Sequence, residues 1–225
     1  MNWEDECYLL SKRKFRENAN IINVFTPKKG KVSGIVYGGN SRKIRNYLQI
    51  SNKLFIFYNS KNDKLGYFKS ELIEPVAPHF FNDKERTTAL ISLCSLLNIL
   101  LPESQPYEKM YYSFSKLLKN FNLKNWIILY IFFEISLIKE LGYDTNLNIF
   151  YNKNDKLDEI KTITVDGKNY DVPNFLISHK IPNNLNNFLI KKSLIFSRNI
   201  LLNKFFLPNN LLFPKSRKLL ENYFN

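Results

Sequence analysis

Five short apolar segments, each bounded by turn residues, lie within residues 7–75 of this 225-residue chain. Short segments that alternate with glycine, proline, asparagine and serine turns are typical of β-strands. Five strands within about 70 residues predict a small closed barrel, because a barrel leaves no unpaired sheet edge. The segments begin at Cys7, Ile21, Val32, Leu54 and Gly66.

Beyond Asn82 the apolar residues recur at helical spacing. Asp83 is a predicted N-cap, Pro102 ends the first helix, and Gly142 is a predicted C′ residue for the third. The dipeptide Asp166-Gly167 predicts a hairpin turn between two short strands. The helices are expected at about residues 82–101, 107–120, 123–141, 186–206 and 215–223.

These patterns together predict an α+β fold. The proline-containing segment Glu74–Pro78 is stiff and is a predicted domain boundary. We therefore expect a five-stranded barrel domain over residues 1–78 and a helical bundle domain over residues 79–225. The hairpin is expected to form a small insert in the helical domain at about residues 144–172.

The charge of the chain predicts an anionic partner. Its formal net charge is +13, and residues 1–53 and residues 180–225 each carry +7. Nucleic acid is the favoured partner class, ahead of a membrane surface. A genome rich in A and T would also raise the lysine content, but it would explain neither the arginines nor the clustering.

The densest basic cluster surrounds one short strand and the glycine turn after it. Its residues, Lys28 to Arg45, contain four of the seven glycines and no acidic residue. The sequence predicts that the cations lie on the two loops that flank the strand, where they suit a polyanion backbone. The cluster contains Lys28, Lys29, Lys31, Arg42, Lys43 and Arg45, and an earlier basic strand contains Lys12, Arg13, Lys14 and Arg16.

Aromatic residues near these cations are candidates for stacking on bases. For each of them a place in the barrel core is the more common alternative, and we expect Tyr37 and Tyr47 to be the exceptions because they flank the glycine turn and Arg45. The aromatic residues considered are Phe15, Tyr37, Tyr47, Phe57 and Tyr58.

Motifs for catalysis, cofactors and membrane insertion are missing from the sequence. His79 and His179 have no partner at metal-ligand or triad spacing, and no phosphate-binding glycine loop occurs. Cys7 and Cys94 are expected to be buried and reduced, as in a cytoplasmic protein. The acidic N-terminus does not resemble a signal peptide, and the longest apolar run, Trp126–Phe133, is too short for a membrane span. We therefore expect a non-catalytic protein without a cofactor.

A series of motifs resembles the bacterial RecO family, in order and along nearly the whole chain. The order of the motifs along the chain, rather than any single motif, is what resembles the family. The motifs are Trp3-Glu4-Asp5-Glu6, Val24-Phe25-Thr26, Gly34-Ile35-Val36-Tyr37-Gly38-Gly39-Asn40-Ser41-Arg42, Leu48-Gln49, Phe133-Glu134 with Leu141-Gly142-Tyr143, and Phe213-Pro214 with Arg217.

The resemblance implies an N-terminal OB-fold barrel, a helical domain and a bacterial, nucleoid-associated recombination mediator. It implies binding of single- and double-stranded DNA, annealing of complementary strands, and assistance to RecA loading together with RecR and the acidic C-terminal tail of single-strand binding protein. By the same resemblance, the ten cations of the two basic segments are the candidate DNA contacts.

One departure from the family concerns zinc. Many members carry four cysteines after the Leu-Gly-Tyr helix, whereas no cysteine follows Cys94 here. We therefore expect no metal site, and the Asp166-Gly167 hairpin is interpreted as the remnant of that insert.

The basic C-terminal region is a candidate groove for an acidic peptide tail, and ordinary amphipathic helices are an equal alternative. Its cations are Lys191, Lys192, Arg198, Lys204, Arg217 and Lys218. An RNA-binding accessory protein that uses the same barrel is the second functional interpretation, and an enzyme that acts on nucleic acid is the third.

Overall fold

The computed structural model describes residues 1–39, 41–60 and 65–225. Asn40, within the glycine motif Gly34–Arg42 of the sequence analysis, lies outside the described residues. The chain divides into two compact units, Met1–Leu118 with Pro214–Arg217 and Lys119–Phe213 with Lys218–Asn225. The domain boundary expected at residue 78 stays a prediction. None of the described helices is long and apolar enough to cross a membrane.

The first unit contains the predicted five-stranded barrel. Its strands close in the order β1-β2-β3-β5-β4, as in an OB-fold. A short helix, α1, lies between β3 and β4. The elements are β1 (Asn2–Phe15), β2 (Ala19–Thr26), β3 (Gly30–Tyr37), α1 (Arg42–Tyr47), β4 (Lys53–Asn59) and β5 (Tyr67–Glu74).

Strand β1 is longer than the sequence pattern predicts. It begins at Asn2 rather than at Cys7. The pattern missed this first part because the exposed residues Asn2 and Glu4 alternate with less exposed residues, so the sequence has no apolar run there. Its first part pairs with β4, from Asn2 opposite Asn59 to Tyr8 opposite Lys53. Its second part pairs with β2, after an irregularity between Leu9 and Ser11. One curved strand thus closes the barrel.

The barrel interior is apolar and includes one of the two cysteines. Gly34 is required there, because a Cβ atom at this position would lie 2.4 Å from the ring of Phe68. The interior side chains are Cys7, Leu9, Ile22, Val24, Val32, Val36, Leu48, Leu54, Ile56 and Phe68.

Two longer helices follow the barrel within the same unit. Helix α2 (Lys84–Leu100) has the predicted N-cap, since Asp83 Oδ1 accepts a 2.9 Å hydrogen bond from the Arg86 backbone amide. Helix α3 (Glu108–Lys119) packs its aromatic residues on the barrel. The rings of Phe25 and Tyr111 lie 5.5 Å apart. These contacts cover part of the outer face of the barrel.

The second unit is helical and contains the predicted hairpin. Asp166 and Gly167 both adopt positive φ angles, of 50° and 74°, as a two-residue hairpin turn requires. The predicted helix over residues 186–206 is continuous but ends in a π-helical segment, Leu202–Phe206. The elements are α4 (Trp126–Glu140), β6 (Ile160–Val165), β7 (Lys168–Pro173), α5 (Asn174–Ser178), α6 (Asn187–Leu201) and α7 (Lys215–Asn222), of which α7 begins in the segment assigned to the first unit.

Candidate nucleic-acid interface

The turn between β2 and β3 carries the first two predicted cations. Lys28 is exposed and Lys29 is half-buried. The Lys29 backbone amide donates a 2.9 Å hydrogen bond to Thr26 Oγ1, which fixes the turn. The backbone is thus held in place, and the Lys28 side chain extends into solvent.

Lys31, the third cation of this segment, is buried inside the unit. Only 8% of its surface is exposed, and its ammonium group donates a 2.8 Å hydrogen bond to the carbonyl oxygen of Asn98. Burial lowers the pKa of Lys31. The Lys31 ammonium group therefore links β3 to α2 and is not part of the exposed basic surface.

Arg42, Lys43 and Arg45 lie on helix α1 rather than on a loop. Ser41 caps this helix, since its Oγ accepts a 3.4 Å hydrogen bond from the backbone amide of Ile44. Ile44 packs on the barrel core, while the three cations are exposed. The Ser41 cap and the apolar spacing of Ile44, Tyr47 and Leu48 were the signals for this helix.

The basic end of β1 lies beside this helix. The Lys12 ammonium donates a 2.7 Å hydrogen bond to the carbonyl oxygen of Leu48, at the end of α1. Burial and the nearby Arg45 charge lower the pKa of Lys12. Arg13, Lys14 and Arg16 are exposed around the β1–β2 turn.

The predicted cations thus form two separate groups. Lys28 and Lys29 precede β3, whereas Arg42, Lys43 and Arg45 follow it, so the length of the strand, roughly 23 Å, lies between them. The second group and the end of β1 make one surface, which we call the hairpin–helix surface. In the described part of the chain, none of its exposed cations forms an ion pair. These cations are Arg13, Lys14, Arg16, Arg42, Lys43 and Arg45.

The aromatic residues divide between core and surface. Tyr37 is 59% exposed, as expected. Tyr47 packs against the core, and its hydroxyl donates a 2.7 Å hydrogen bond to the Ser70 carbonyl oxygen. Phe57 and Tyr67 are also exposed, and sequence reasoning did not consider Tyr67. The sequence did contain a signal for Tyr67: neighbouring residues of a strand face opposite sides, so a buried Phe68 predicts an exposed Tyr67.

The cations predicted to bind a peptide tail are mostly occupied internally. Lys192 pairs with Asp171 at 2.8 Å and Arg198 pairs with Glu221 at 2.7 Å. Arg217 is fully buried, and Lys191 is half-buried. The tail-binding role of these residues stays a prediction.

One hydrogen bond and one ion pair hold the tip of the hairpin. Tyr143 Oη donates a 2.6 Å hydrogen bond to Asp166 Oδ2, and the Lys204 ammonium pairs with the same oxygen. Partial burial and this bond raise the pKa of Tyr143 to about 12. Among the described residues, no group of three His, Cys, Asp or Glu side chains is placed to hold a metal ion.

Comparison with known proteins agrees with this architecture. Residues 1–76 match the sequence profile described as Recombination protein O N terminal, and residues 82–160 match Recombination protein O C terminal. The DNA repair protein RecO of Ruegeria sp. (strain TM1040) is 33% identical over 150 residues, which cover 66% of this chain and 62% of the relative. That of Wolbachia pipientis wMel is 32% identical over 153 residues, with the same two shares.

The match thus spans less than two thirds of the length of these relatives. The two profiles nevertheless follow one another in order along the chain, and both relatives are named DNA repair protein RecO. Because the profiles, the relatives and the barrel agree, the chain belongs to the RecO family.

Proposed function

We propose that this protein is a non-catalytic mediator of DNA repair that binds single- and double-stranded DNA without sequence specificity and anneals complementary strands. The main support for the proposal is the hairpin–helix surface, where six exposed cations lie on helix α1 and around the β1–β2 turn of an OB-fold barrel. Membership of the RecO family supports the same function.

The proposed mechanism is electrostatic. Two complementary strands repel each other through their phosphates, and a basic surface that binds both strands lowers this repulsion and raises their local concentration. Base pairing then supplies the free energy of annealing. Contacts to phosphates carry no sequence information, so the binding is non-specific. No covalent step and no cofactor is required.

We extend the proposal to the recombination partners of the family. In this role the protein assists RecA loading at gaps, together with RecR and with the acidic tail of single-strand binding protein. The basic region around Lys191 is the candidate for the tail, although its neighbours Lys192 and Arg198 hold internal ion pairs. Titration of the tail peptide by calorimetry tests this part, and no heat at high micromolar peptide would contradict it.

A strand-annealing assay tests the central proposal. Two complementary labelled oligonucleotides are mixed with the protein over a salt series, without nucleotide or metal. We expect faster annealing that declines as salt rises, since counterion release drives the binding. Tight binding without faster annealing would overturn the mediator role. Preference for RNA over DNA in competition would instead favour an RNA-binding accessory protein.

A further inference from the structure

The outer face of the barrel is only partly available to a ligand. Oligonucleotide-binding barrels commonly use the outer face of strands 2 and 3. Here Asn23 on β2 donates a 2.7 Å hydrogen bond to Asn98 of α2, and Ser33 on β3 donates one of 2.6 Å to Glu103. The segment after α2 also pairs with Lys31 of β3. This part of the usual face is therefore covered by the same unit.

The uncovered side of the barrel displays exposed aromatic rings on three neighbouring strands. Phe57 and Tyr67 alternate with the buried Ile56 and Phe68, so they face away from the interior. The rings of Tyr37 and Tyr67 lie 6.3 Å apart and are inclined by 60°. These rings are 38–59% exposed and contribute little to the core. Clustered exposed aromatic residues indicate a binding surface.

A groove of about 460 Å³ lies beside two of these rings. Its aromatic lining includes Trp3 and Tyr58, whose stacked rings are 4.9 Å apart and inclined by 26°. Gly66 keeps Tyr58 in place, since a Cβ atom there would lie 2.3 Å from its ring. The complete lining is Asn2, Trp3, Glu4, Phe57, Tyr58, Asn59, Tyr67 and Lys69.

We infer that this groove is a subsite for an unpaired nucleobase. Aromatic side chains stack on bases of any identity, and amide and carboxylate groups form hydrogen bonds with base edges. Asn59 lines the groove, and its buried Oδ1 has no hydrogen-bond partner among the described residues, which leaves an unsatisfied acceptor beside the proposed base. Lys69 supplies a cation for a phosphate. The inference rests on the proposed function.

Continuity with the cationic surface favours a nucleic acid strand over a peptide. Ala19, at the β1–β2 turn, pairs with Tyr37 of β3. On β3, Ile35 pairs in turn with Tyr67 of β5. Further along β5, Lys69 pairs with Phe57 of β4, and both residues line the groove. A single strand that binds Arg16 at the turn can thus cross adjacent strands to the groove. Bases within a duplex are stacked on their neighbours, so the groove selects single strands.

The test compares single-stranded, duplex and abasic oligonucleotides of equal length. The double variant Phe57→Leu/Tyr67→Leu keeps apolar side chains and removes the rings. We expect its affinity for the single strand to fall roughly tenfold or more, with duplex affinity and the salt slope unchanged. A variant with Phe81→Leu and Tyr112→Leu, which removes two other exposed rings of the same unit, is the matched control.

Tryptophan fluorescence provides an independent readout of base entry. Base stacking in the groove should quench Trp3, so quenching by the single strand should be lost in Trp3→Phe and absent with the abasic oligonucleotide. Unchanged single-strand affinity in the folded double variant, or equal binding of the abasic strand, would overturn the subsite. If the wild-type protein binds no DNA at all, the proposed function itself fails.

Discussion

The ammonium group of Lys31 donates a 2.8 Å hydrogen bond to the carbonyl oxygen of Asn98, 67 residues later in the chain. A lysine from the most basic segment thus contributes to folding. We expect Lys31→Met to lower the free energy of unfolding by about 1–3 kcal/mol, because a buried charged hydrogen bond is lost. Urea unfolding measures this change. DNA affinity of the folded variant should not change, and a loss of affinity equal to that of Lys28→Met would contradict this assignment.

The exposed cations of α1 should set the salt dependence of DNA binding. Replacing Arg42, Lys43 and Arg45 together by glutamine should weaken binding and lower the slope of log affinity against log salt by about 2 for single strands. Fluorescence anisotropy over a salt series measures both quantities. The control replaces exposed Lys84, Lys109 and Lys119 by glutamine, which changes the net charge equally. Identical slopes in the two variants would contradict the hairpin–helix surface.

The tip of the β6–β7 hairpin should depend on the charge of Asp166. The variant Asp166→Asn keeps a residue that tolerates positive φ but weakens the bonds to Lys204 and Tyr143. We expect faster amide hydrogen exchange across β6 and β7 at pH 7. Asp158→Asn, which removes an exposed carboxylate just before β6, is the matched control. Equal protection in the wild-type protein and Asp166→Asn would show that packing alone holds the hairpin.

The same contact should respond to acid. The Lys204 ammonium and the Tyr143 hydroxyl hold the pKa of Asp166 below its ordinary value of 3.8. Since the pKa is lower in the folded state, the stabilisation is present above the unfolded pKa and is lost as the pH falls through the folded pKa. NMR shifts of the hairpin amides should therefore change only below about pH 4. A transition centred near neutral pH would contradict the assignment.

Both cysteines should resist thiol reagents in the folded protein. Cys7 and Cys94 are fully buried, and burial raises the pKa of Cys94 to about 12. Little thiolate forms at pH 8, and the reagent cannot reach the sulfur atoms. We expect no labelling in the time that completes the reaction in denaturant. Rapid native labelling of either cysteine would show that this unit opens locally.

Metal removal should leave the protein unchanged. The sequence has no cysteine after Cys94, and polar contacts such as Lys192–Asp171 support the hairpin. We expect a chelator to shift neither the unfolding midpoint nor the rate of strand annealing. A midpoint that falls with chelator and recovers with zinc would contradict this prediction.

Local sequence signals predicted the backbone well. The Asp83 cap, the Asp166-Gly167 turn and the position of Gly142 after α4 each reflect conformational preferences of a few adjacent residues. Helix α1 was missed because it has only six residues, and its apolar contacts come from the barrel. Short helices depend on tertiary packing more than on their own propensity.

The sequence by itself determined the order of the barrel strands and the longer helices, the barrel and the excess of positive charge. Only the tertiary structure decided which charges remain on the surface. Lys12 and Lys31 look the same as Lys14 and Lys28 in the sequence, yet the first two donate hydrogen bonds to distant carbonyl groups. Strand alternation likewise left Tyr67 exposed while the fold packed Tyr47 on the core. Backbone conformation follows from neighbouring residues, whereas side-chain exposure depends on contacts between residues far apart in the chain.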